Sequence, residues 1–212
     1  MVITIGREFG SGGRELGRRL AAELGIDYYD KEILTEIAKS TDLSEQYIKQ
    51  TVEGKMNYMY PITIGHSLTF TPDYQIKQVQ EIYKAQTETI RELAAKSDCV
   101  IIGRCADYIL RDMKPFRIFV YADIDARVQR CMDRREEGDT TTAAEMKKQI
   151  QRIDKDRARY YSDFTGQNWG YKPFYDICIN TTDVDIKEFV HNLANMFRGQ
   201  LSAAADAPAE EA

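Results

Sequence analysis

Histidine is nearly absent from this chain: His66 and His191 are the two among 212 residues. The four cysteines, Cys99, Cys105, Cys131 and Cys178, form no C-x-x-C pair. A structural zinc site is therefore not expected. Cys99 and Cys178 sit in apolar runs and read as buried free thiols. No apolar run approaches the ~18 residues that a membrane span needs. Positive charge is not in excess, with 29 Lys+Arg against 34 Asp+Glu and a net charge of −5. A general nucleic-acid binder would need clustered cations, so none is expected. The opening MVITIGREFG has no basic stretch before a long apolar core, so no secretory leader is read there. With unpaired cysteines, this points to the cytoplasm.

What is present is ordinary for a globular chain: 43% hydrophobic and 30% charged residues. That supports one sizeable core, and we expect a single domain over residues 1–200. Val2 to Ile5 reads as a buried first strand, and Arg14 to Leu24 as a helix with Gly25 as its C-cap. Asp27 to Asp30 reads as a second strand. Helices follow at Lys31 to Lys39 and Ser44 to Glu53, the latter capped by Ser44. Ile76 to Lys96 is a further helix. DCVIIG at Asp98 to Gly103 and FRIFVYA at Phe116 to Ala122 have the continuous apolar character of strands buried on both faces. Asp125 to Arg135 and Ala143 to Tyr161 read as charged helices, Tyr175 to Asn180 as the last strand, and Val184 to Arg198 as the last helix. The tail 201–212 has no large apolar residue after Leu201 and is expected to be disordered. Strands alternating with helices predict an α/β fold with a mainly parallel sheet.

Residues 54–74 break the pattern. The stretch is rich in aromatic, Met and turn residues, and such long irregular connections are usually functional. Its eight large apolar groups, Met56 to Phe70, need cover. It either closes over a ligand or packs against a second subunit, and we favour a homodimer.

The chemistry is densest at Gly6 to Gly13, which places four glycines in eight residues between a strand and a helix. Exposed N–H groups and the positive helix end make such a turn an anion site. Yet the nucleotide-phosphate pattern G-x-x-x-x-G-K-[ST] is not met. With Gly12 as second glycine, Gly13 stands in the lysine place and Arg14 in the Ser/Thr place. With a loop one residue longer, Arg14 takes the lysine place and Glu15 the next. A rival reading uses Gly6, Gly10 and Gly12 as a dinucleotide turn, with Asp30 on a ribose hydroxyl, as in an NAD(P)-dependent dehydrogenase. That reading needs Tyr-x-x-x-Lys, and none of the 13 tyrosines has it.

The opening ITIGREFGSGGRELGRRLAAELG with YYDKEIL, then IIGRCADYIL, FVYADIDARVQRCMDRR, IDKDRARYY and YDICINTT, resembles the cytidylate kinase-like family. These are relatives of the nucleoside monophosphate kinases. The resemblance implies a three-layer P-loop kinase-like fold with a helical lid at 140–165. It implies ATP and Mg²⁺ as cofactors and a nucleotide or small-molecule acceptor. Gly10, Ser11, Gly12, Gly13, Arg14 and Glu15 would hold the donor phosphates. Asp30 and Arg104 would place the acceptor. Arg14, Arg104, Arg152 and Arg157 would do the catalytic work, the last two from the lid. Gly103-Arg104 matches the family's Gly-Arg-Asp turn, with Cys105 in place of the aspartate. No residue is assigned to metal, with Glu15 and Asp123 as remote candidates. The activity expected is ATP-dependent phosphoryl transfer. The alternative is a nucleotide-binding regulatory module with little turnover, because the loop lysine is missing.

The lid has its own physical case. Lys147 to Arg159 carries six cations and two acids in an acidic protein. Such a surplus suits closure over polyphosphate, and it equally suits a solvated helix with i,i+4 ion pairs.

Overall fold

The computed structural model describes residues 1–41, 43–52 and 73–205. Five strands form one parallel sheet in the order β2-β3-β1-β4-β5: β1 Val2–Arg7, β2 Asp27–Tyr29, β3 Cys99–Ile102, β4 Phe116–Tyr121 and β5 Ile177–Asn180. Ile3, Ile5 and all of β3 have at most 0% exposure, so the central strands are covered on both faces. That is why they read as nearly continuous apolar runs rather than alternating ones.

One face is covered by α1 (Gly13–Leu24) and the C-terminal α8 (Ile186–Ala205). Leu16, Leu20, Val190 and Phe197 meet Ile3, Val100 and Ile118 there. The other face is covered by α2 (Glu32–Thr41), α3 (Glu45–Val52), α4 (Asp73–Lys96) and the one-turn α5 (Ala106–Ile109). Ile33, Ile37, Ile48, Ile82 and Ile90 pack on Cys99 and Ile101. Each such side chain, fully buried, contributes about 1.5–3 kcal/mol. A third, small cluster of Val128, Met146 and Ile150 joins α6 (Ile124–Asp133) to α7 (Ala143–Thr165) outside the sheet. α7 runs through most of the 140–165 segment expected as a lid.

Most expected elements are present with shifted ends. β1 runs on to Arg7, two residues past the expected Ile5, because the ladder to β4 continues through Arg7 and Val120. The last strand begins at Ile177 rather than Tyr175, since Lys172–Phe174 forms a 3₁₀ turn. Ser44 does cap α3, its Oγ accepting from the Tyr47 N–H at 3.3 Å. α4 begins at Asp73, and α8 reaches Ala205, into the expected tail. Cys99 is buried, whereas Cys178 is half-buried. The irregular segment and the interface expected on it lie outside the described residues apart from 73–74, as do residues 206–212 of the tail.

Sheet order turns at β1: the chain passes from it to β2 and β3 on one side, then to β4 and β5 on the other. The carboxyl end of such a strand is where ligands bind in open α/β sheets. Arg7 ends β1, Asp30 follows β2, and Gly103-Arg104-Cys105 follows β3.

Candidate functional site

The glycine turn behaves as its composition predicts. Gly10 and Gly12 have φ of 77° and 82°, a region open to glycine at little cost. Gly12 is the N-cap of α1, and no side chain caps the helix. The first-turn N–H groups and the positive helix end therefore face the cleft. Ser11 is fully buried and braces the turn from behind: its Oγ donates to the Glu8 carbonyl at 2.9 Å, and Thr181 Oγ1 donates to the Ser11 carbonyl at 2.6 Å.

Two cavities meet at this turn. The larger, about 650 Å³, runs from Gly10, Gly12 and Gly13 toward Arg135, Met146 and Gln149. The smaller, about 60 Å³, lies between Gly103, Arg104, Asp107, Tyr161 and Trp169. Both are lined by Arg7, Arg14 and Arg157. The molecule thus gathers guanidiniums where a long compartment opens into a short one.

Each arginine is held differently. Arg14 Nε lies 2.6 Å from Asp30 Oδ2, with the carboxylate 5% exposed and the guanidinium side chain 54% exposed. Asp30 therefore anchors Arg14 from behind while its other flank stays open to solvent. The Asp30 carbonyl accepts from Arg104 Nε at 3.1 Å. The Arg157 Nη1 donates to the Arg7 carbonyl at 3.2 Å, tying α7 to the end of β1. Burial, then the nearby Arg157, push the Arg7 guanidinium well below its usual range, and Asp30 offsets this only in part. Guanidinium stays charged in proteins, so this marks a cation that is desolvated first and crowded by like charge second.

The turn after β3 is strained. Gly103, Arg104 and Cys105 have φ of 66°, 59° and 56° in succession. Left-handed backbone at the latter two costs on the order of 1–3 kcal/mol each. Neighbours hold it in place. Gln86, fully buried on α4, donates through Nε2 to the Arg104 carbonyl at 3.0 Å. The Ala106 N–H donates to the Gly103 carbonyl at 3.0 Å. The distortion turns Arg104 into the smaller cavity.

The floor of that cavity is a buried polar pair. Tyr161 Oη donates to Asp107 Oδ2 at 2.7 Å, and both residues are buried. Burial raises the Asp107 carboxyl above the ordinary range, against the Tyr161 hydrogen bond. Burial, then Asp107, raises the Tyr161 hydroxyl. Trp169 packs edge-on against Phe119, with centroids 5.3 Å apart, and also lines this cavity.

α6 and α7 are joined to the glycine turn by charge. Asp154 Oδ1 accepts from the Phe9 N–H at 2.7 Å, and Asp154 pairs with Arg127. Arg127 Nε lies 3.5 Å from Glu8 Oε2, within ion-pair range but without a hydrogen bond. Burial raises the Glu8 carboxyl, although the Ala122 N–H and Arg127 act against it.

A family model described as the cytidylate kinase-like family matches residues 2–183. The chain belongs to this family. A cytidylate kinase from Methanopyrus kandleri is 24% identical over 192 residues, spanning 86% of this chain and 85% of that protein. An uncharacterized protein from Eubacterium ventriosum superposes with a TM-score of 0.67 at 28% identity, over 93% of this chain and 98% of that one. Shikimate kinase from Bacteroides thetaiotaomicron superposes with a TM-score of 0.55 at 13% identity, over 93% and 98% of the two chains. That likeness shows a shared P-loop kinase-like fold.

In this cytidylate kinase-like chain the expected site residues divide into three groups. Gly10, Gly12, Gly13, Arg14, Arg104 and Arg157 line one cavity or both. Ser11 and Asp30 stand behind and support them. Glu15 and Arg152 are elsewhere: Glu15 pairs with Arg19 and Arg134 on the outer side of α1, and Arg152 is exposed on α7 and lines neither cavity. Sequence reasoning missed Arg7, Gln86 and Asp107. Arg7 looked like an ordinary turn residue, and Asp107 stood in an unrecognised one-turn helix. No helix among the described residues is long and apolar enough to cross a membrane. No group of three or more His, Cys, Asp or Glu among the described residues fits a metal ion.

Proposed function

We propose that this protein transfers the terminal phosphoryl group of ATP to a small acceptor whose reacting end enters the smaller cavity beside Arg104. The observation that carries this reading is the meeting of the two cavities at Arg7, Arg14 and Arg157. Phosphoryl transfer asks the protein mainly to position two reactants and offset charge between them. The glycine turn would cradle the donor phosphates, Arg104 would orient the acceptor, and Asp30 would keep Arg14 and Arg104 in place. Arg157 would bring the lid onto the transferred group. Mg²⁺, carried chiefly by the nucleotide phosphates, would supply further charge neutralisation. Family membership supports a nucleoside monophosphate as acceptor, and Cys105 in the place of the family's aspartate argues for weak preference for cytosine.

The test is ADP formation from ATP and Mg²⁺ with a panel of nucleoside monophosphates and small alcohols. A stimulated rate with one acceptor supports the reading. ATP binding without turnover for any acceptor would favour a regulatory nucleotide-binding module, the reading that a glycine loop without lysine also supports. Binding of NAD(P) in place of ATP would overturn both.

A further inference from the structure

The place of the missing lysine is physically filled. α1 begins at Gly13, directly after its N-cap Gly12, which puts Gly13 where the phosphate-loop pattern has lysine. No side chain fits there. A Cβ at Gly13 would lie 2.6 Å from Arg7 Cβ and 3.1 Å from Val120 Cβ. The stem of Arg7, rising from the end of β1, occupies that space. Its head passes over Gly103, where an added Cβ would collide with Arg7 Nη1. Two glycines from separate parts of the chain therefore clear a channel for one arginine, and the channel leads to the junction of the two cavities.

Arg7 also differs from its neighbours in its bonding. Arg14 is paired with Asp30, and Arg104 donates to the Asp30 carbonyl. The Arg7 side chain makes no hydrogen bond or ion pair among the described residues. Asp30 and the other guanidiniums reach it only through longer-range electrostatics. A half-buried guanidinium at the end of β1, surrounded by other guanidiniums and without a paired carboxylate, is matched to an anion that arrives from outside. Arginine suits this better than a bare point charge, because its fork can take two phosphoryl oxygens at once.

We propose that Arg7 is the catalytic cation of this site, contacting the phosphoryl group as it passes from the larger cavity to the smaller, in the role the loop lysine has elsewhere. Arg14 is then a supporting residue, held by Asp30. This rests on the phosphotransfer reading above. No new bond chemistry is required of Arg7: the P–O bond to the leaving diphosphate breaks, the P–O bond to the acceptor forms, and Arg7 offsets charge on the oxygens of the transferred group throughout.

The experiment compares wild type with Arg7→Met, Arg7→Lys and Arg14→Met by calorimetry, using ATP, ADP and inorganic pyrophosphate as probes. Arg7→Met should weaken ATP at least tenfold and ADP by less than threefold, because the terminal phosphate reaches the junction. Arg7→Lys should recover part of the ATP preference, and Arg14→Met should weaken both nucleotides to a similar extent. Where turnover is measurable, Arg7→Met should lower kcat about 10²-fold or more with acceptor KM within threefold. Wild-type affinities for ATP and pyrophosphate in Arg7→Met would overturn the proposal, as would a larger loss in Arg14→Met confined to ATP. Pyrophosphate bound by wild type and lost in Arg7→Met, with no nucleotide bound by either, would sink the phosphotransfer reading and keep Arg7 as the anion-binding group. A wild type that binds none of the three probes overturns both. Should Arg7→Met fail to fold, Arg7→Gln is read in the same way.

Discussion

Asp107 is the residue whose charge state the fold controls most visibly. Burial raises its carboxyl above the ordinary range of about 4. At pH below that range both folded and unfolded chains hold the proton, and the contribution to stability is complete. As pH rises above it, the unfolded chain ionises while the buried carboxyl keeps its proton, and stability is lost until pH has passed through the raised folded value. Asp107→Asn cannot ionise and keeps an oxygen for the Tyr161 hydroxyl. Melting temperatures measured from pH 4 to pH 8 should show wild type falling relative to Asp107→Asn as pH rises. A difference that stays flat across that range would show that Asp107 ionises as freely in the fold as outside it. The raised Glu8 acts in the same direction, but it is common to both proteins and cancels in the difference.

At the scale of elements, α7 is the helix whose start is best specified. Thr142 accepts from the Glu145 N–H at 3.3 Å, and Glu145 Oε2 accepts from the Thr142 N–H at 2.8 Å, a reciprocal capping box. Thr142→Ala should reduce stability by about 1 kcal/mol. It should also raise amide exchange in the first turn of α7 before it affects the core strands. Uniform exchange across α7 in the variant would disprove that localisation. The same elements show what the sequence could and could not reveal. β1, β3 and β4 were visible because burial on both faces leaves few polar interruptions, Thr4 and Arg117 being the internal ones. The glycine turn was visible because consecutive glycines between strand and helix have few other uses. The contacts at the site were not visible. Nothing local in GRC predicts three left-handed residues, since Gln86 and Asp30, far away in the chain, hold that turn. Arg7 could not be told from any other turn cation without knowing that Gly13 and Gly103 flank its path. Arg152 and Arg157 are five positions apart on one helix, and only packing decides which of them faces the site.

At the scale of the whole molecule, the helix pair α6–α7 connects to the sheet through the Glu8–Arg127–Asp154 group. The Arg127 and Asp154 side chains are 10% and 15% exposed. Asp154→Ala would leave a largely buried guanidinium with Glu8 at 3.5 Å and the Phe9 carbonyl at 3.4 Å, and would free the Phe9 N–H. We expect a loss of about 3 kcal/mol, read as a lower urea midpoint with unchanged slope. Addition of Arg127→Met to Asp154→Ala should recover part of it, because no unpaired charge then remains. A double variant no more stable than Asp154→Ala would place the loss in the freed Phe9 N–H instead.

The guanidiniums gathered at the end of β1 also bear on how the protein should be handled. A fold that assembles positive charge around an open space is, thermodynamically, a fold with a reservoir of unused stability, released when an anion of the right size is dissolved beside it. Because only the native chain brings Arg7, Arg14, Arg104 and Arg157 together, phosphate or sulphate in the buffer should act as a folding aid. At one hundred times its dissociation constant, such an ion adds about 2.7 kcal/mol, or roughly 5–10 °C in melting temperature for a chain of this size. Sodium chloride at equal ionic strength should give much less. The melting temperature of this protein is therefore a property of the protein together with its buffer salt, and purification in phosphate would select and preserve the assembled site.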